Sequence, residues 1–308
     1  MKNITVIGAG IMGHGIAQLF AQVGKNVRLY DTNQASLDKA KLMIQNSMKR
    51  LVEKGLLTEE SFELATKKLV YSIDIEESLE NAEFIVEVVP EVLTLKWETY
   101  LKIERIVSKD SIIASNTSAI PLTRLIEKTK HPERFIITHF FNPPQLVPLV
   151  EIIKSHHTDE KVIQTTFELM ELIGKRPVVL QKEVPGFIAN RIQLAVVREV
   201  FWLLENGVAT AEDIDIVMKE SLGFRYAFQG PFEGADLTGL DTANFVSESL
   251  FPVLSASKEP PEFLNKMIRA GHLGMKSGKG FYTYDGDAGI EKVRKRDEQF
   301  LELMKLRT

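Results

Sequence analysis

The sequence predicts an α/β chain in two parts: a doubly wound parallel sheet with a helical hairpin inserted, over residues 1–184, then a mostly α-helical part over residues 185–308. Three observations carry this. Residues 3–31, NITVIGAGIMGHGIAQLFAQVGKNVRLYD, read as strand, glycine turn, helix and strand. Apolar runs of strand length then alternate with helical segments as far as Gln181, the pattern of parallel strands joined by crossovers. From Phe187 onward the segments are helical, and only FYTY at residues 281–284 reads as a further short strand.

The first strand, residues 4–7, is apolar apart from Thr5, as expected of a strand covered on both faces. It runs into Gly8, Ala9, Gly10, Ile11, Met12 and Gly13, a G-x-G-x-x-G spacing. The first glycine allows a tight turn, the second lets backbone approach a pyrophosphate, and the third lets the next helix pack closely on the strand. Phosphates then meet unpaired N–H groups at a helix N-terminus. The helix over residues 11–23 stops at Gly24, and a second strand, residues 26–30, ends in Asp31, 18 residues beyond Gly13. That acid reaches ribose hydroxyls in dinucleotide-binding turns of this kind. No lysine or arginine follows it at once, so a 2′-phosphate would face a carboxylate without a cation, and NAD is expected over NADP. A structural strand–turn–helix would use the same glycines; the acid ending the second strand separates the two readings.

Asn33 caps a helix running to about Lys54 and ended by Gly55, and Thr58 with Glu59 and Glu60 starts another, so the pair forms a hairpin. Lys49, Arg50 and Lys54 gather on one side, which serves as a solvated face or as an anion-binding edge. Strands follow at residues 69–72 and 82–89, the latter closing in VVPE with Glu91, then a helix at 95–107 and a strand at 111–114 leading into Ser115, Asn116, Thr117 and Ser118. Pro121 begins the next helix. FIITHF at 135–140 is a strand broken by Asn142, Pro143 and Pro144; residues 146–153 are extended, 160–173 helical and 176–181 a last strand. Gly8, Asp31, Glu91, Ser115 to Ser118 and His139 all fall at carboxyl ends of strands, the edge where such sheets bind ligands.

Helices in the second part are expected over residues 187–205, 211–220, 242–254, 261–270 and 291–306. Apolar FWLL at 201–204 suits a core or a subunit interface.

Composition narrows the function. The 308 residues are 44% apolar and 26% charged, ordinary for a globular chain, and the net charge of −4 gives no general attraction to nucleic acid or anionic membrane. The absence of cysteine excludes disulfides and thiol chemistry. No apolar run approaches a membrane span, and the glycines of the turn break the pattern of a signal peptide, so a cytoplasmic enzyme is expected. No metal-ligand spacing and no G-x-S-x-G elbow appears.

Of six histidines, His139 alone sits at a strand end on the ligand edge, and Glu151 lies on the next extended segment, where a turn at residues 142–144 would bring the two together. An imidazole backed by a carboxylate suits alcohol oxidation, taking the hydroxyl proton as hydride leaves carbon. A structural histidine in a core strand fits the same position. Ser118 and Asn190 are further polar candidates or helix caps.

Read as a set, these blocks resemble the L-3-hydroxyacyl-CoA dehydrogenase family over nearly the full length: GAGIMGHGIA, SNTS at 115–118, HFFNPP from His139, LVEII with Glu151, VPGFIANR with Asn190, GPFEGADLTGLD from Gly230, and SGKGFY ending at Tyr282. The resemblance implies a Rossmann-type domain, His139 as catalytic base with Glu151 orienting it, and Ser118 and Asn190 as contacts to the substrate oxygen. It places Asp31, Glu91, Lys96, Asn116, Ser118 and Lys276 near NAD, and Ser47 and Lys54 where members hold CoA. It further implies a homodimer and oxidation of a short-chain 3-hydroxyacyl-CoA, or the reverse. GFRYAFQGPFE at 223–233, QKEV and VPLVE depart from that pattern. They look like the lambda-crystallin and L-gulonate 3-dehydrogenase branch, whose members, like carnitine dehydrogenases, act on free hydroxy acids. There Arg225 would pair with a substrate carboxylate, or else form a salt bridge between helices. HFFNPP and EKGLLTEE point back to acyl-CoA, which is therefore the first reading. A free 3-hydroxy acid is the second, and a non-catalytic NAD-binding protein the third.

Overall fold

The computed structural model describes residues 1–306. Eight strands form one sheet: β1 (Asn3–Ile7), β2 (Asn26–Tyr30), β3 (Leu69–Ser72), β4 (Phe84–Glu87), β5 (Ile112–Ser115), β6 (Phe135–Phe140), β7 (Leu149–Ile153) and β8 (Arg176–Leu180). Their order is β3-β2-β1-β4-β5-β6-β7-β8. Chain direction across the sheet reverses between β1 and β4, which opens a crevice at their carboxyl ends.

β1 to β6 run parallel, while β7 pairs antiparallel with β6, so β7 and β8 run the other way. The doubly wound parallel sheet expected from the sequence is present in β1 to β6, and the turn expected at residues 142–144 adds β7 and β8 as its antiparallel edge. Residues 141–148 are too few for a parallel crossover, which needs a dozen or more, so the chain turns back on itself.

Alternation along the strands divides the core. Ile4, Val6, Phe84, Val86, Ile112, Ala114 and Ile136 face one cluster; Ile7, Ile85, Ile113, Phe135 and Ile137 face the other. Helix α1 (Gly13–Gln22) lies on the first face. Helix α2 (Gln34–Glu53), capped by Asn33, and helix α3 (Glu59–Lys68), capped by Thr58, form the expected hairpin. The hairpin does not stand clear of the sheet: Leu37, Ala40, Ile44 and Met48 bury one side of α2 in the first cluster.

The chain divides into two compact units, one of Met1–Ile188 with the residues from Asp297 on, the other Ala189–Arg296. The sequence boundary at residue 184 assigns the whole last helix, Ala288–Lys305, to the second part, yet its end belongs with the first unit. Leu301 is 3% exposed there and packs with Leu51 and Leu146. Amphipathic period shows that a helix has an apolar side, not what that side meets.

The second unit is helical: Ala189–Glu205, Ala211–Val217, Phe224–Tyr226, Pro231–Thr238, Leu240–Leu250 and Glu262–Arg269. A π-turn at Met218–Gly223 interrupts the helix expected over 211–220, and Pro231–Thr238 escaped the sequence reading. FYTY forms no strand; it contributes only an isolated bridge between Lys279 and Thr283. These helices bury no residue, and Phe232 and Leu237 stand 87% and 80% exposed. An apolar surface of that extent is what a subunit interface covers. Among the described residues no helix is long and apolar enough to cross a membrane.

Candidate active site

The glycine turn fits a dinucleotide. A Cβ on Gly13 would lie 1.7 Å from the Gly8 carbonyl oxygen, so α1 packs on β1 at a distance only glycine permits. A Cβ on Gly10 would meet nothing within 4 Å; it would project into open space beside the turn, the cradle that a pyrophosphate fills. Asp31 follows β2 directly and accepts from Ala9 N at 2.8 Å and Asn33 N at 3.0 Å, which fixes its carboxylate against the turn. Gly8, Gly10, Ile11, Met12, Gly13 and Asp31 therefore lie together at one turn whose open space and backbone donors suit a dinucleotide.

The hairpin of β6 and β7 builds the second half. Its register sets His139 directly opposite Glu151, and the two side chains meet: Nδ1 lies 2.9 Å from Glu151 Oε2. They are 3% and 1% exposed, and Glu151 Oε1 also accepts from Ile188 N at 2.9 Å. A carboxylate can only accept, so Nδ1 carries a proton, and in the neutral imidazole Nε2 presents a lone pair. To that neutral form the Ser118 hydroxyl, 3.1 Å away, donates. Phe141 and Phe187 flank the ring, with centroids at 4.5 and 5.3 Å, and hold its orientation.

One contact ties the halves together. A Cβ on Gly15, in α1, would collide with Gln145 Oε1 at 2.4 Å and Pro144 Cγ at 2.6 Å. The turn that follows His139 thus rests on the helix that starts at the glycine turn.

Behind this edge lies a buried polar node centred on Glu87, a residue the sequence reading missed. Glu87, 0% exposed at the end of β4, accepts from Lys96 Nζ at 2.8 Å, Ser115 Oγ at 2.7 Å, Val89 N at 2.8 Å and the Tyr100 hydroxyl. Lys96, 1% exposed, also reaches Glu91 at 3.3 Å. Glu91 in turn accepts from Thr117 Oγ1 and from the N–H groups of Ser118 and Ala119. Burial alone would raise the Glu91 carboxyl, but the Thr117 hydroxyl, Lys96 ammonium and Ala119 N–H outweigh it and hold it below the usual range. Lys96 therefore acts from behind, fixing Glu91, which holds the loop that carries Ser118. A glutamate closing the apolar strand FIVE was the available signal. Asn116 completes the edge by accepting from Phe140 N at 2.9 Å.

Lys175 supports the hairpin from below. It is 5% exposed, and its ammonium donates to the carbonyls of Pro144 and Val147 in the β6–β7 turn. Burial pushes it down to about 7 from the usual lysine range. Between that value and the ordinary one, the unfolded chain holds a proton that the folded chain lacks, so stability rises with pH. Below it both states are charged and the slope vanishes. Measured by urea unfolding, wild-type stability should gain on Lys175→Met above pH 7 by at most ~1.4 kcal/mol per pH unit. A difference that stays flat from pH 6 to 9 contradicts this.

The other expected residues belong to the hairpin and to the second unit. Ser47 is half-buried on α2, and Lys54, at its end, lies 3.4 Å from Glu302. Asn190, Arg225 and Lys276 belong to the second unit: Asn190 in the first turn of Ala189–Glu205, Arg225 exposed beside a cavity of about 650 Å³, and Lys276 exposed in the turn between Gly274 and Lys279.

Comparison with known proteins settles the family. Residues 3–184 match the 3-hydroxyacyl-CoA dehydrogenase NAD-binding domain, and residues 186–284 match the C-terminal domain of the same family. The chain belongs to the 3-hydroxyacyl-CoA dehydrogenase family. Its relatives include a probable 3-hydroxybutyryl-CoA dehydrogenase of Bacillus subtilis, 38% identical over 92% of this chain and 98% of that protein. Another is 5-formyl-3-hydroxy-2-methylpyridine 4-carboxylate 5-dehydrogenase of Mesorhizobium japonicum, 33% identical over 92% of this chain and 91% of that one. Among solved structures, a dehydrogenase of that pyridine carboxylate superposes with a TM-score of 0.94 at 31% identity, covering 99% of this chain and 98% of its own. (S)-3-hydroxybutyryl-CoA dehydrogenase from Ralstonia eutropha gives 0.76 at 35% identity, covering 93% and 100%. As a family member the chain is an NAD-dependent oxidoreductase acting on CH–OH groups.

Proposed function

We propose that this family member oxidises the hydroxyl-bearing C3 of a 3-hydroxyacyl substrate to the ketone, or runs the reverse. The observation that carries this is the Ser118–His139–Glu151 chain, with Nε2 facing a hydroxyl at 3.1 Å and Nδ1 bound to a buried carboxylate at 2.9 Å. Taken alone, serine, histidine and glutamate at these distances would equally suit a hydrolase. The glycine turn and Asp31 at the same sheet edge support oxidation instead.

NAD, when bound, supplies the hydride acceptor. The protein handles the proton: His139 Nε2 takes it from the substrate hydroxyl, and Glu151 keeps the tautomer and stabilises the imidazolium that results. Ser118 holds the substrate oxygen near Nε2, and Glu91 fixes the Ser118 loop. For Asn190, Lys276 and Arg225 the family resemblance supports substrate and cofactor roles, and the exposed helical unit supports a homodimer, which the mass in solution decides.

The names of relatives support two carriers for the hydroxyacyl group. The Bacillus and Ralstonia proteins support a CoA thioester. The likeness to the pyridine carboxylate dehydrogenase supports a free carboxylate. Initial rates of NADH formation with 3-hydroxybutyryl-CoA, 3-hydroxybutyrate, L-gulonate and L-carnitine test the proposal. Turnover of at least one is expected, and a chain that binds NAD yet reduces it with none contradicts the reading.

A further inference from the structure

The last helix bears on the carrier. It lies wholly beyond the family's C-terminal domain, whose match stops at residue 284, and its end folds onto the hairpin edge that carries Lys49, Arg50 and Lys54. Leu301, 3% exposed, is clustered with Leu51 at the end of α2 and Leu146 in the turn that follows β6; Leu56, Leu57, Phe300 and Met304 pack around them. Glu302 lies 3.4 Å from Lys54 Nζ and 3.3 Å from Lys305 Nζ, and these two ammonium groups hold its carboxyl below the usual range. An acid therefore occupies the cation read as an anchor for a nucleotide tail.

The ion pair is exposed and weak in itself. The apolar packing is the stronger element, because it spans from the hairpin to the turn leaving the His139 strand. A thioester whose polyanionic tail rested on Lys54 and whose acyl group reached His139 would cross this surface. It would first have to lift Leu301 off Leu51 and Leu146 and expose apolar area to water. It would also bring phosphate against Glu302.

We propose that the end of the last helix is a specificity element that closes the hairpin edge to CoA, so that the substrate is a 3-hydroxy acid presented as a free carboxylate. This rests on the dehydrogenase reading above. A small acid needs no path across the hairpin; it needs only to reach the Ser118 hydroxyl and the His139 imidazole.

Calorimetric titration of the full chain with free CoA, with NAD as a parallel titration, tests this without depending on turnover. NAD should bind and CoA should give no saturable heat up to millimolar concentration. In rate measurements, at least one free acid should exceed 3-hydroxybutyryl-CoA at least 100-fold in kcat/KM. Leu301→Asp, which unseats the helix end, should make CoA binding measurable and shrink that ratio at least 10-fold. Glu302→Ala, a surface change that leaves the fold intact, should move it the same way by a smaller factor. Saturable CoA binding to the wild type overturns the proposal, as does a preference for the thioester, or a ratio that neither variant moves. If NAD binds but no substrate is turned over, the dehydrogenase reading fails and the substrate assignment fails with it; the CoA titration still decides whether the helix closes the edge.

Discussion

Gly13→Ala should cost the protein its NAD affinity and lower its melting temperature. The added carbon would sit 1.7 Å from the Gly8 carbonyl oxygen and 2.9 Å from its carbon, backbone against backbone, so no side-chain rotation relieves it. α1 must move off β1, and with it the N–H groups that would face a pyrophosphate. Overpacking of this kind costs about 1–3 kcal/mol, and ~3 kcal/mol falling on the NAD-competent arrangement alone weakens binding by roughly 100-fold. Gly10→Ala separates binding from folding. Its Cβ meets no protein atom within 4 Å, so the melting temperature without cofactor should hold while NAD binding falls. Calorimetry and thermal melts of both variants decide the matter. NAD binding at wild-type strength in Gly13→Ala would remove the turn from the cofactor site.

Much of this edge was legible in the sequence because its determinants are local. A glycine spacing, an acid closing the next strand and a histidine closing FIITHF each follow from strand period and turn chemistry, and those are short-range. The pairing of His139 with Glu151 was legible for a further reason. Two prolines and an asparagine force a turn, and a short turn can only return the chain antiparallel, which sets the residues opposite one another.

What escaped the reading is set by long-range packing. Glu87 looked like part of a strand, and its four donors come from the loop after β4, from β5 and from the helix bearing Lys96 and Tyr100, which no spacing rule connects. Lys175 gave no signal as the residue after Gly174, because its partners are carbonyls of a distant turn. The last helix announced its amphipathic period but not its seat on Leu51 and Leu146. FYTY had strand composition without a neighbouring strand to pair with, so it stayed a bridge.

The largest effect on chemistry should come from His139→Gln. Glutamine keeps an amide N–H that can donate to Glu151, so the buried carboxylate retains a partner and the hairpin its register. It has no lone pair basic enough to take a proton from an alcohol. Loss of a positioned general base lowers turnover by roughly 10²–10⁴, and the loss should appear in kcat, since the glycine turn and Asp31 are untouched. The measurement is rapid mixing of NAD-saturated protein with a turned-over hydroxy substrate, following formation of reduced nicotinamide in the first turnover. The account expects the first-turnover rate of His139→Gln to fall at least 100-fold below wild type while NAD affinity stays within about twofold. A variant that binds NAD and forms reduced nicotinamide at the wild-type rate would show that His139 is not the proton acceptor.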